Sequence, residues 1–292
     1  MTPNATGEGN GVTNDSLAPD SRSPGHEPPL PSRRDFDTTV AHPARMWDYW
    51  LGGKDNFAAD REAAERVVAA MPSMDATARA GRAFLAAAVH YLAAGMGIRQ
   101  FLDIGTGLPT ANNTHEVAQQ VGPESRIVYV DNDPIVLTHA RALLTSDARG
   151  ATAYIDADLR DTGKILAEAR NLLDFSEPVA LMLLHILHFI PDTDDPYGIV
   201  AKLMEPLPSG SYLVLAHATV EITPGAREAA QRYSENNTAT MTARSRSEVA
   251  RFFDGLDLVE PGITPVGAWR PGPMEDIPTQ GLASYTAVAR KP

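Results

Sequence analysis

Three acidic positions and one pair of glycines carry most of the chemistry legible in this chain. Phe101-Leu102-Asp103-Ile104-Gly105-Thr106-Gly107 reads as a short apolar strand running into a turn. Glycines at such a turn let backbone approach a ligand closely. The bare Gly-x-Gly is shared by dinucleotide and other nucleotide sites. The third glycine of the dinucleotide fingerprint is absent, with Thr110 in its place; that glycine serves close helix–strand packing beside a pyrophosphate. Asp103 argues in the same direction, because a carboxylate aimed at a pyrophosphate repels it, whereas one aimed at an ammonium or sulfonium attracts it. The alternative for Asp103 is a loop-facing acid satisfied by backbone N–H groups.

Asp131 ends a second apolar strand, 24 residues after Gly107, where an acid can accept from both hydroxyls of a ribose. This holds for either adenosine cofactor. Asp133, which precedes Pro134, reads as a helix N-cap followed by an N1 proline. A third acidic run, Asp156-Ala157-Asp158-Leu159-Arg160-Asp161, offers Asp158 as an acceptor for an adenine exocyclic amine and Asp161 as the next helix cap.

Stepwise alternation of strand and helix patterns must position these groups. Apolar runs predict strands over 101–104, 126–130, 153–155, 179–184 and 212–216, with helices near 111–120, 134–144, 163–172 and 196–207 between them. Further helices are expected near 226–233 and 247–253, and two last strands over 256–259 and 285–289. Such alternation predicts a doubly wound α/β fold, a mostly parallel sheet covered on both faces. Ligands then bind beyond the carboxyl ends of the strands, at the switch point. Ahead of this core, helices are expected over 60–70 and 75–94, the second capped by Asp75. The expected division is a disordered tail at 1–34, a helical cap at 35–97 and a ligand-binding core at 98–292. The tail holds six Pro, four Gly and no aromatic residue, too little apolar surface to offset ordering entropy.

Composition bounds the function. Acidic residues number 37 against 25 basic, a formal net charge of −12, which disfavours broad binding to nucleic acid. With no cysteine in the chain, disulfides, thiolate metal sites and cysteine nucleophiles drop out, in keeping with a cytoplasmic location. The longest strongly apolar run, 179–190, holds twelve residues, short of the roughly 20 that span a bilayer. No secretory leader pattern opens the chain.

Asp103-x-Gly105-x-Gly107 followed by Asp131 and Asp158 resembles the class I S-adenosylmethionine-dependent methyltransferases. A more specific resemblance lies in Ala41-His42-Pro43-Ala44-Arg45-Met46-Trp47-Asp48-Tyr49-Trp50-Leu51-Gly52-Gly53-Lys54-Asp55-Asn56-Phe57, in Gly105-Thr106-Gly107-Leu108-Pro109-Thr110 and in Asn113-Thr114-His115-Glu116-Val117. These are similar to a methyltransferase family found mostly in actinobacteria and long catalogued as a domain of unknown function, over roughly residues 35–292. The resemblance implies S-adenosylmethionine as cofactor. It puts Gly105, Thr106 and Gly107 along the methionine part and Asp103 near the ammonium. Asp131 falls on the ribose, Asn132 beside the adenine, Asp158 on the adenine amine and Leu159 against it. It also implies His185 facing the methyl-transfer site and a reversed hairpin for the last two strands. The Asn/Asp-Pro-Pro-aromatic run usual in enzymes of this fold that methylate amino groups on nucleobases or glutamine is missing after the fourth strand, which ends in Leu184-His185-Ile186-Leu187-His188-Phe189. Base or glutamine methylation is therefore disfavoured, and the expected acceptor is a small molecule, with a preference for oxygen because histidines line the expected site; neither its identity nor an oligomeric state is encoded in the motifs.

Arg45 could pair with the cofactor carboxylate, and Tyr49 and Trp50 could cover the sulfonium, making this segment a lid. The alternative is a helix packing its aromatics on the core, ended by Gly52-Gly53. His185 is the candidate general base, with His217 second, a buried satisfied histidine being the alternative for each. On a strand His185 and His188 point to opposite faces, so no shared metal is expected. Trp269 lines the acceptor pocket or packs within its loop. The competing functions are a non-catalytic cofactor-binding regulator, an NAD-dependent oxidoreductase and a metal-dependent glycosyltransferase using Asp131-x-Asp133.

Overall fold

The five strands expected from the alternating pattern form one sheet, extended by three more at its far edge. The computed structural model describes residues 37–143, 149–235, 239–269 and 281–292, with backbone alone at 139–143. The expected tail at 1–34 lies outside them. In chain order come helices α1 (Pro43–Trp50), α2 (Ala58–Ala70) and α3 (Met74–His90), then β1 (Gln100–Ile104), α4 (Thr114–Val121), β2 (Arg126–Asp131), α5 (Pro134–Leu143) and β3 (Ala151–Asp156). These are followed by α6 (Thr162–Ala169), β4 (Ala180–Leu184), α7 (Pro196–Met204), β5 (Tyr212–Ala218), α8 (Ala226–Ser234) and α9 (Arg246–Ala250). The chain closes with β6 (Asp257–Leu258), β7 (Thr264–Pro265) and β8 (Ser284–Arg290).

The sheet order is β3-β2-β1-β4-β5-β8-β6, with β7 also on β8. Strands β1 to β5 pair in parallel, and β8 runs antiparallel to β5, matched from Tyr212↔Arg290 to Ala218↔Ser284. The doubly wound core with a reversed last strand is thus as expected. Strand order reverses between β1 and β4, so the carboxyl ends of these two strands open the crevice in which ligands bind.

Local chemistry sets the helix boundaries. Asp161 caps α6 by accepting from the Lys164 N–H, and Asp133 receives the Ile135 N–H at 2.8 Å beside Pro134, both as expected. Helix α4 starts later than its apolar pattern suggests because Asn113 and Glu116 form a capping box. Helix α3 begins after Ser73 rather than Asp75 and runs on into a π-turn, Tyr91–Gly95.

Two apolar layers sandwich the sheet. One joins α6, α7 and α9 to the strands; the other joins α3 (Phe84, Leu85, Ala88, Val89) to Phe101, Ile127, Met182 and Val214. Trp269 belongs to this second layer: it is 1% exposed and meets Phe84 and Tyr91 edge-on. It packs rather than lining a pocket. A third cluster gathers α1, α2 and α8 through Met46, Trp50, Ala64, Val67, Ala229 and Tyr233. The end of α2 and the residue before α8 approach so closely that a Cβ on Gly225 would collide with the Ala70 carbonyl oxygen. Among the described residues, no helix is long and apolar enough to cross a membrane.

Candidate active site

A cavity of about 500 Å³ opens at the carboxyl ends of β1, β2 and β4, and α1, α3 and α8 also line it. Its polar wall is built from the acidic motifs. The Asp131 carboxylate ends β2 and receives the Gly107 N–H at 2.9 Å and the Asp133 N–H at 3.0 Å. It thereby ties the glycine turn to the second strand. Burial pushes this carboxyl up to about 6 against those two donors. Asp103 is also buried and pushed up to about 6, while the Thr114 hydroxyl at 2.6 Å and the Arg82 charge pull it back. The expected alternative, backbone N–H groups on Asp103, is replaced by this hydroxyl.

Gly105 and Gly107 hold φ values of 78° and 67°, a region only glycine occupies freely. A Cβ on Gly105 would come within 2.8 Å of the Ile186 side chain, so β1 and the turn after β4 close on each other here. The Thr106 hydroxyl bonds back to the Asp103 carbonyl at 3.1 Å. Further along the rim, the Asn132 amide donates to Asp158 at 3.3 Å, and Arg160 donates to both Asp158 oxygens at 3.0 Å. Leu159 is buried and lines the cavity beside them. The cavity thus brings together Asp103, Gly105, Thr106, Gly107, Asp131, Asn132, Asp158, Leu159 and His185.

Two residues expected at the ligand stand elsewhere. Arg45 and Tyr49 are four apart on α1, hence on one face, and that face meets α2. The Arg45 guanidinium lies 3.4 Å from Asp60 and donates to the Val40 carbonyl at 3.0 Å. The Tyr49 hydroxyl donates to Glu65 at 3.0 Å. Neither lines the cavity. The face that does carries Ala44, Trp47, Trp50 and Leu51, so the segment is a helix whose tryptophans, rather than its arginine, reach the ligand space. Its end at Leu51, with Gly52 at φ 80°, follows the expected Gly-Gly stop.

Arg82 of α3 was not legible as a site residue. It lines the cavity near Asp103, with one terminal nitrogen on the Ala111 and Asn112 carbonyls at 3.0 and 3.1 Å. Its Nε is buried without a partner. The available signal was its neighbour: Gly81 interrupts a good helix former run, a costly choice without a packing reason. A Cβ there would stand 2.8 Å from His185 Cε1.

The histidines differ from expectation in arrangement. Strand β4 stops at Leu184, His185 turns the backbone with φ 57°, and His188 sits in the following 3-10 turn. Their rings are therefore 6.2 Å apart rather than on opposite faces of a strand. No group of three His, Cys, Asp or Glu side chains that could hold a metal occurs among the described residues. His217 donates from Nδ1 to the Ala218 carbonyl at 2.7 Å and accepts from Arg244 at Nε2, 2.9 Å. Both nitrogens are engaged and it does not line the cavity, so it is a structural histidine. His188 lines the cavity with a buried, unpartnered Nδ1.

His185 Nε2 lies 2.9 Å from the Ser284 hydroxyl, and that hydroxyl also has the His217 carbonyl at 3.0 Å. When the Ser284 proton goes to the carbonyl, Nε2 carries the ring proton and Nδ1 keeps its lone pair. Burial lowers the ring's pKa to about 4, so it is neutral at physiological pH. The Trp47 ring holds it at 4.7 Å between centroids.

Comparison with known proteins agrees with this geometry. The family model described as S-adenosyl methyltransferase matches residues 30–292. The crystal structure of a DUF574 family protein from Streptomyces avermitilis is similar over 88% of this chain and 99% of its own, at 48% identity and a TM-score of 0.84. A putative methyltransferase from Thermobifida fusca is similar over 88% of this chain and 96% of its own, at 38% identity and a TM-score of 0.78. No curated protein matches the chain. With the family model matched over residues 30–292 and these two relatives similar over most of the chain, the chain belongs to the S-adenosyl methyltransferase family and is an S-adenosylmethionine-dependent enzyme.

Proposed function

We propose that this enzyme methylates an oxygen atom of a small-molecule acceptor, with His185 as the base. The observation that supports the proposal is His185 in the lining of the cavity with its Nε2 held by Ser284, an arrangement that keeps Nδ1 for an acceptor proton. A cavity of about 500 Å³ suits a small molecule and its cofactor better than a macromolecular surface.

The residues present fit the cofactor. Asp131 would accept from the ribose hydroxyls, Asn132, Asp158 and Leu159 would border the adenine, and Gly105, Thr106 and Gly107 would leave room for the methionine part. Asp103 would face its ammonium. Arg82, whose buried Nε has no partner, would take its carboxylate in the place expected of Arg45. When bound, S-adenosylmethionine supplies a methyl group on an electron-poor sulfur, and departure of that methyl leaves the bonding pair on sulfur. At the acceptor, the oxygen lone pair makes the new C–O bond, and the hydroxyl proton passes to His185 Nδ1. The division into a helical cap at 35–97 and a core at 98–292 belongs to the same reading, supported by the cavity-lining side chains of α1, α2 and α3. So does a cytoplasmic setting without nucleic-acid or membrane partners, which rests on the cysteine-free, acidic composition.

Radiolabelled methyl transfer from S-adenosylmethionine to a hydroxyl acceptor tests the proposal. His185→Gln is expected to lower turnover by about 100-fold or more while S-adenosylhomocysteine affinity stays within about threefold. Equal turnover in the variant would remove the base; a substrate methylated on nitrogen alone would remove the oxygen.

A further inference from the structure

We infer that the acceptor is an uncharged, ring-bearing hydroxyl compound of the phenol type, seated against an aromatic wall that begins at Trp47. The inference rests on the methyltransferase reading above and names the substrate class of that same cavity.

The cavity walls divide by chemistry. Asp48 and the histidines apart, the acidic and basic side chains that line it come from the rim at the ends of β1 to β3 and from Arg82. Asp48 is held by the Asp55 N–H and the Asn56 amide at 2.9 and 2.8 Å. Past His185 the lining comes from the turn after β4, the turn into α3, α8 and residues 239–243, and contributes Met, Val, Ala, Thr, Tyr and Phe side chains together with His188, whose pKa burial lowers. Among the described residues this part presents no charge. An ionised carboxylate or ammonium entering it would be desolvated without a partner, which costs several kcal/mol.

The same part is edged by four rings in sequence. Trp47 meets Trp50 edge-on at 6.1 Å, Trp50 lies 6.4 Å from Tyr233, and Tyr233 stacks on Phe189 at 5.7 Å. All four line the cavity. Such a wall favours offset or edge contacts with another ring. Two polar points border it: the His185 ring, on which Trp47 packs and whose Nε2 is held by Ser284, and the unpartnered Nδ1 of His188. A molecule meeting both conditions has a flat apolar body and one hydroxyl at its edge. A phenol is such a molecule, and its pKa near 10 keeps it neutral in solution.

The test is calorimetric titration of the protein saturated with S-adenosylhomocysteine, using 2-naphthol, 2-naphthoate and 2-naphthylmethylammonium, shape-matched and differing in charge. The naphthol is expected to bind, and each ion to bind at least about 30-fold more weakly, roughly a 2 kcal/mol penalty. Trp47→Ala should weaken naphthol by about tenfold with an unchanged S-adenosylhomocysteine affinity, which also shows that the variant is folded. Either ion binding as tightly as naphthol, or naphthol binding unaffected by Trp47→Ala, overturns the inference. Naphthol failing at about 1 mM while S-adenosylhomocysteine binds overturns it and leaves the methyltransferase reading intact. Naphthol binding where S-adenosylhomocysteine does not would instead strike the cofactor reading and leave the acceptor class standing.

Discussion

At the residue scale, the two buried carboxylates make cofactor binding sensitive to pH. Asp103 and Asp131 are both pushed up to about 6 by burial. Ribose hydroxyls and an ammonium favour the ionised forms, so affinity is expected to be level above about pH 7 and to fall below 6. Each group contributes up to about tenfold per pH unit. Titrations of S-adenosylhomocysteine at pH 5 and 7.5 check this, and an affinity that rises on acidification would refute it. Folding stability obeys separate signs. Raised carboxyl values stabilise below the ordinary value near 4 and lose that contribution as pH rises through 6. His185 and His217 are lowered to about 4 and 3. Their contribution is present above the ordinary histidine value and lost as pH falls through those values. His188, His42 and His115 are lowered as well. Histidines therefore outnumber the two carboxyls, and the ligand-free protein is expected to lose stability as pH falls below 6. Denaturant unfolding at the two pH values reads it.

At the element scale, α2 and α8 pack closely where the turn before α8 meets the end of α2. Gly225 has φ 80°, and a Cβ there would strike the Ala70 carbonyl. Gly225→Ala is expected to cost about 3 kcal/mol from left-handed strain plus overpacking, roughly 6–12 °C in Tm. Gly163→Ala, where a Cβ meets nothing within 4 Å, should leave Tm unchanged or slightly higher. A similar Tm for both variants would mean that α2 and α8 do not need this close approach. The same element-scale view explains what the sequence could and could not convey. Strand–helix alternation, the glycine turn and the acids at the ends of β1 and β2 were legible because they are local. Arg45, Tyr49 and Arg82 were not, because the partner of a helix face depends on which neighbour it packs against. Once α1 turns Arg45 toward Asp60, the basic group left near Asp103 must come from α3. His188 was misplaced for a related reason: β4 ends one residue before His185, and a left-handed backbone there overrides the strand alternation.

At the scale of the whole molecule, one end of the sheet gathers contributions from distant chain segments. Asp103, Asp131 and Asp158 come from successive strand ends, His185 is held by Ser284 near the carboxyl terminus, and Trp47 comes from the first described helix. The most direct measurement is a thermal-shift titration with S-adenosylmethionine, S-adenosylhomocysteine and NAD in parallel. At about 100 times its dissociation constant a ligand adds about 2.7 kcal/mol, roughly 5–10 °C for a domain of this size. The account predicts that shift with the first two, its loss in Asp131→Asn, and none with NAD. A shift with NAD alone would contradict it.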